Sequence, residues 1–88
     1  MILMYFKANY CGGCRTLSEL LKEVPLPYPL VEVDVEENST LAAQRFVTEV
    51  PTLMLIYGDT VVAKKSGLFN KDDLIAFLNE GKLFNETC

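Results

Sequence analysis

Apolar positions in this chain come in runs whose period changes repeatedly. Residues 2–6 (Ile-Leu-Met-Tyr-Phe) are apolar without interruption, as suits a strand covered on both faces. Beyond Cys14, the residues Leu17, Leu20, Leu21 and Val24 fall at i, i+3, i+4 and i+7. That spacing predicts an amphipathic helix over about residues 12 to 24, ended by Pro25, Pro27 and Pro29. Residues 30–35 (Leu-Val-Glu-Val-Asp-Val) are β-branched at every other position and read as a second strand. Asn38 or Ser39 can cap a helix running to about Val47. Pro51 separates that helix from a third strand, Thr52 to Tyr57. The pair Gly58-Asp59 has the composition of a tight hairpin turn into a fourth strand, Thr60 to Lys65. Asn70 with Asp73 three residues later marks a further helix start. Leu74, Phe77 and Leu78 then face inward, Gly81 closes the helix and residues 82–88 form a loosely held tail.

The order βαβαββα constrains the topology. A strand-helix-strand unit demands parallel pairing through a right-handed crossover, whereas the hairpin at Gly58-Asp59 is antiparallel. A four-stranded mixed α/β sheet flanked by three helices, with helices on both faces, satisfies both demands. No internal repeat or interdomain linker interrupts the chain, so residues 1–88 are expected to form a single domain, half of it apolar and long enough for one small core.

Charge and composition then exclude several classes of function. A formal net charge of −4 gives no footing for polyanions, so neither nucleic acid nor an anionic membrane is an expected partner. The apolar run at the start meets Lys7 at once and is too short for a membrane span or a secretory leader, which points to the cytoplasm. The three cysteines are odd in number and only two are close in sequence, so a disulfide-stapled scaffold is a poor fit and a reducing compartment a better one. With no histidine in the chain, Cys-His and Ser-His catalysis and most catalytic zinc sites are excluded.

The remaining candidate chemistry is Tyr10-Cys11-Gly12-Gly13-Cys14, where strand, turn and helix meet. Two cysteines at i and i+3 across such a junction can reach disulfide distance. Cys11, at the helix end, would have its thiolate stabilised by unpaired amides and the positive end of the helix dipole, lowering its pKa below that of a free thiol. Cys14 points along the buried stripe of the helix. Cys11 is therefore expected to be the exposed nucleophile and Cys14 the sheltered resolving thiol. The competing reading is a metal half-site or a static bridge. Tetrahedral zinc needs four ligands, and a remote Cys88 adds only one thiol to this pair, although a cluster shared between two chains stays open.

Over about residues 2 to 80 the sequence resembles the thioredoxin family, in a short, glutaredoxin-sized form that lacks the usual extra N-terminal strand and helix. The resemblance rests on the Cys-Gly-Gly-Cys site, on Val50-Pro51-Thr52-Leu53, on the spacing through Gly58-Asp59 to Ser66-Gly67, and on the last amphipathic helix. It implies reduction of protein disulfides through a redox-active Cys11/Cys14 pair. It also implies a cis Pro51 against the cysteines, Val50 offering backbone hydrogen bonds to an extended substrate, and Gly67 in a loop beside the site. Tyr10, Gly12, Gly13, Val50, Pro51 and Leu68 would form the surface on which substrates dock. The implied partners are disulfide-containing client proteins and a thioredoxin reductase-like electron donor, with no bound cofactor and a monomeric chain.

The chain also departs from the family pattern. Gly13 replaces a proline between the cysteines, so neither thiolate pKa nor redox potential carries over. Where thioredoxins hold a buried Asp and a Lys, this chain has Tyr5 and Glu32. Glu32 could assist proton transfer at Cys14 or be a partly exposed strand carboxylate. Two alternatives remain. One is a glutathione-dependent, glutaredoxin-like reductase, which Glu49 disfavours and Lys7 keeps open. The other is a non-catalytic binding module with the cysteines as a redox-sensitive latch.

Overall fold

The structure, a computed structural model, describes residues 1–9, 11–67 and 69–87, with side chains as far as residue 83. The elements follow the expected order: β1 (Ile2–Lys7), α1 (Gly12–Glu23), β2 (Leu30–Asp34), α2 (Ser39–Gln44), β3 (Thr52–Tyr57), β4 (Thr60–Ser66) and α3 (Lys71–Thr87). The four strands form one mixed sheet in the order β2-β1-β3-β4. β1 runs parallel to β2, with Tyr5 opposite Glu32, and antiparallel to β3, with Tyr5 opposite Leu53. β3 and β4 form the hairpin, with a register shift between Leu55 and Ile56.

The alternation of a strand assigns its side chains to two cores. Leu3, Tyr5, Leu53 and Leu55 point to one face, where Cys14, Leu17 and Leu21 of α1 and Leu74, Phe77 and Leu78 of α3 cover them. Met4, Phe6, Met54 and Ile56, with Val33 of β2, point to the other face, which Ala42 of α2 covers. The uninterrupted apolar sequence of β1 therefore reflects burial on both sides. α3 is clamped to this sheet by an edge-to-face contact of Phe69 on Phe77, with ring centroids 6.3 Å apart, and by Lys65 lying 5.5 Å over the Phe69 ring.

Two helix ends differ from expectation. α2 stops at Gln44 rather than near Val47, because residues 45–47 form a left-handed C-terminal cap: Val47 N–H donates to Ala42 O at 2.9 Å and Phe46 N–H to Ala43 O at 3.1 Å. Phe46 occupies the left-handed position, at φ 58°, where glycine is usual. At the other end of α2, Asn38 precedes the helix without a side-chain cap bond and donates instead to Asp34 O at 3.1 Å. α3 does not end at Gly81 but continues to Thr87, so the expected loose tail is helical through that residue. Gly81 is a point of close approach rather than a cap. A Cβ there would lie 2.7 Å from the Tyr28 hydroxyl, so the glycine lets the proline-rich connection seat Tyr28 against α3, and a larger residue would have to push that ring aside. The start of α3 is as expected, a reciprocal capping box: Asp73 N–H donates to Asn70 Oδ1 at 2.8 Å and Asn70 N–H to Asp73 Oδ2 at 3.1 Å.

Candidate active site

The turn between β1 and α1 brings the cysteines to the end of the sheet. Cys11 N–H donates to Ala8 O at 3.3 Å, which tightens the turn, and Cys11 then serves as the N-cap of α1. Its sulfur accepts the Cys14 amide at 3.1 Å, satisfying one of the donors left open by the first helical turn. Cys11 is half-buried, whereas Cys14 is 4% exposed among the core residues of α1, and both are free thiols. Cys14 is thus sheltered, as the helical stripe indicated, and Cys11 is the more accessible of the two, though half-buried rather than exposed.

Burial pushes the Cys14 thiol up to about 11, and hydrogen bonding and charge at Cys11 add to the rise; the Ala8 backbone and the Tyr5 side chain pull more weakly the other way. At neutral pH Cys14 consequently keeps its proton. The sulfur of Cys11 also contacts the opposite wall of the site, its S–H lying 3.7 Å from Val50 O. The Val50–Pro51 bond is cis, as the family resemblance implied. Around it the chain is fastened by Gly67 N–H to Pro51 O at 3.0 Å, by the buried Thr52 hydroxyl donating to Glu49 O at 2.7 Å, and by a 2.9 Å contact between the Thr52 and Ser66 hydroxyls. Gly67, at φ 94°, adopts a backbone conformation that a side chain would strain. Cys11, Cys14, Val50, Pro51 and Gly67 thus meet in one place. Gly12 lies exposed beside them and would meet nothing within 4 Å if it carried a Cβ; Gly13 follows it, half-buried. Tyr10 and Leu68, expected on the same rim, lie outside the described residues, as does Cys88.

Glu32 and Lys7 belong elsewhere. Glu32 is exposed on β2 and pairs with Lys7 at 3.4 Å, so of its two readings it is the strand carboxylate and not a group serving Cys14. The polar group that does reach Cys14 from β1 is Tyr5. Wholly buried, it donates its hydroxyl to Cys14 O at 2.6 Å and meets Ser18 Oγ at 2.9 Å. Sequence reasoning noted Tyr5 as a departure but assigned it no contact. The available signal was a phenol inside an all-apolar strand, since a buried tyrosine hydroxyl normally finds a partner. Among the described residues no three His, Cys, Asp or Glu side chains converge on a common point that could hold a metal ion, and no helix is long and apolar enough to cross a membrane.

This arrangement also has close counterparts. Residues 1–80 match the thioredoxin family model. The chain belongs to the thioredoxin family. It is 34% identical over 83 residues to the thioredoxin of Haemophilus influenzae, an alignment covering 90% of this chain and 78% of the relative. It is 32% identical to the thioredoxin of Chlamydia pneumoniae, over 91% of this chain and 81% of that one. Among solved structures, a mutant thioredoxin from Halobacterium salinarum superimposes with a TM-score of 0.81 at 30% identity, covering 89% of this chain and 71% of that chain. The protein is a thiol-disulfide oxidoreductase with the protein-disulfide reductase activity of the thioredoxins.

Proposed function

We propose that Cys11 is the attacking thiol and Cys14 the resolving thiol of this reductase. The observation carrying the assignment is the asymmetry of the pair: the Cys11 sulfur lies at the helix N-cap and accepts the Cys14 amide, while Cys14 is buried and holds its proton to about pH 11. In the forward reaction the Cys11 thiolate attacks one sulfur of a client disulfide, and the second client sulfur leaves as a thiolate and takes up a proton. Cys14 then loses its proton to solvent and attacks Cys11 Sγ. The bond from Cys11 to the client breaks, the client leaves reduced by two electrons, and the Cys11–Cys14 disulfide forms.

Val50 serves the docking of an extended client strand, with Gly12, Gly13, Pro51 and Gly67 keeping the rim low around the cysteines. The contact from Cys11 S–H to Val50 O supports a link between the two steps, because ionising Cys11 removes that donor and frees the Val50 carbonyl for the client. Electrons return to the oxidised pair from a thioredoxin reductase-like donor rather than from glutathione, since the exposed Glu49 beside Val50 opposes an anionic tripeptide. In this reading the chain works as a single-domain monomer without a bound cofactor. It carries electrons to client disulfides in a reducing cytoplasm and contributes to redox homeostasis.

The test is insulin reduction coupled to NADPH through a bacterial thioredoxin reductase. Wild type sustains NADPH oxidation and precipitates the insulin B chain, and Cys11→Ser does neither. Turnover supported only by glutathione and glutathione reductase would replace this reading with the glutaredoxin-like one.

A further inference from the structure

Among the described residues, Tyr5 is the titratable group other than the cysteines that the main core places against the thiol pair. Its single hydroxyl hydrogen is directed to Cys14 O at 2.6 Å, so the 2.9 Å contact with Ser18 has the serine as donor. A directed chain results, from Ser18 O–H to Tyr5 O–H to Cys14. Burial raises the Tyr5 hydroxyl to about 12, with the Cys14 and Cys11 charges opposing its ionisation, so it is a donor throughout the neutral range and cannot act as a base there. The Cys14 carbonyl lies in the first turn of α1, where the amide four residues on is its regular helical partner, so the phenol is a second donor it can release. Tyr5 and Cys14 share one core cluster, and the Tyr5 side chain favours the ionised form of the Cys14 thiol against the larger effect of burial.

Resting on the assignment of Cys14 as the resolving thiol, we propose that the Tyr5 hydroxyl is the buried donor of the resolving step, turning from the Cys14 carbonyl to the Cys14 sulfur as that sulfur becomes anionic. The proton itself leaves to solvent. Tyr5 keeps its own and lowers the cost of the thiolate in an otherwise apolar core, and Ser18, by donating to the phenol oxygen, holds and polarises that donor. The attack of Cys11 on the client precedes this and makes no use of Tyr5.

Single-turnover reduction of the aromatic disulfide 5,5′-dithiobis(2-nitrobenzoate) separates the two steps, because attack by Cys11 releases one coloured thiolate and resolution by Cys14 releases the second. Tyr5→Phe keeps the ring in the core and removes only the hydroxyl. It should leave the first phase unchanged and slow the second about tenfold near pH 7, the scale of a hydrogen bond to a charged group. Because the hydroxyl acts on the ionisation of Cys14, the slowed rate should still climb with pH and approach wild type in the alkaline range, which a loosened core would not produce. Ser18→Ala should slow the same phase by about twofold to threefold and carries the test by itself should Tyr5→Phe fold poorly. Second phases equal to wild type in both variants, or both phases slowed together at every pH, would overturn the role of Tyr5. A wild-type protein with no second phase would overturn the resolving-thiol assignment, and the role of Tyr5 with it.

Discussion

Thr52 is the buried polar side chain at the mouth of the site, and replacing it with valine keeps its shape while removing both of its hydrogen bonds. In the native chain its hydroxyl joins Glu49 O at 2.7 Å and Ser66 Oγ at 2.9 Å, fastening the residues on either side of Pro51 to the end of β4. A hydrogen bond contributes about 0.5–1.5 kcal/mol net, so two give at most about 3 kcal/mol. The loss should be nearer the lower half of that range, because Glu49 is exposed and Ser66 half-buried, so water can reach the orphaned groups. About 1–2 kcal/mol corresponds to a fall in Tm of roughly 5–10 °C for a domain of this size. Ser66→Ala, which removes one of the two bonds, should cost about half as much. In insulin reduction, Thr52→Val should raise KM more than it lowers kcat, because the wall beside Cys11 loosens while the cysteine pair stays on α1. A Tm within about 2 °C of wild type together with an unchanged KM would refute the view that these bonds hold the docking wall.

Two further outcomes follow from the same structure. Tyr5 and Cys14 hold their protons more tightly when folded, rising from 10.0 to about 12 and from 9.0 to about 11, so the unfolded chain releases protons first. Their contribution to stability is complete below about pH 9 and is lost as the pH rises through about 11 and 12. Thermal melts of the reduced protein should show this decline, with Tyr5→Phe removing its upper part; a flat profile to pH 12 would contradict the burial of both groups. Phe46 holds a left-handed conformation while 77% exposed, so Phe46→Gly should relieve strain with little loss of packing and stabilise by about 1 kcal/mol, read as a higher Tm. A fall in Tm would mean that the exposed ring makes a contact of its own.

What was legible in the sequence was carried by periodicity and by local chemistry. Leu17, Leu21 and Val24 marked the buried stripe of α1, and Cys14 on that stripe became the sheltered thiol. The apolar run of β1 implied burial on both faces, and Asn70 with Asp73 marked the start of α3. Contacts between residues distant in sequence were not legible. Gly81 looks like a helix end until Tyr28, fifty-three positions earlier, is placed against it. α2 ends early through a cap built on phenylalanine, whose carbonyl accepts Lys64 Nζ at 2.6 Å, and no glycine announces it. The site shows the same division, since the pairing of Cys11 with Cys14 is local, whereas the meeting of Cys11 with Val50 and of Tyr5 with Cys14 and Ser18 depends on how the sheet is ordered. Pro51 was located through family resemblance rather than through periodicity.

The central claim is that Cys11 attacks protein disulfides and that Cys14 resolves the product, and its most direct test is to remove Cys14 and look for the intermediate. Cys14→Ser incubated with oxidised insulin should accumulate a covalent adduct of one chain with one insulin. By mass spectrometry the adduct should map to Cys11, and it should collapse on adding dithiothreitol. Wild type should turn over without accumulating it, and the Cys11→Ser, Cys14→Ser double variant should form none. An adduct that persists in the double variant, or no adduct from Cys14→Ser while wild type reduces insulin, would contradict the assignment of Cys11 as the attacking thiol.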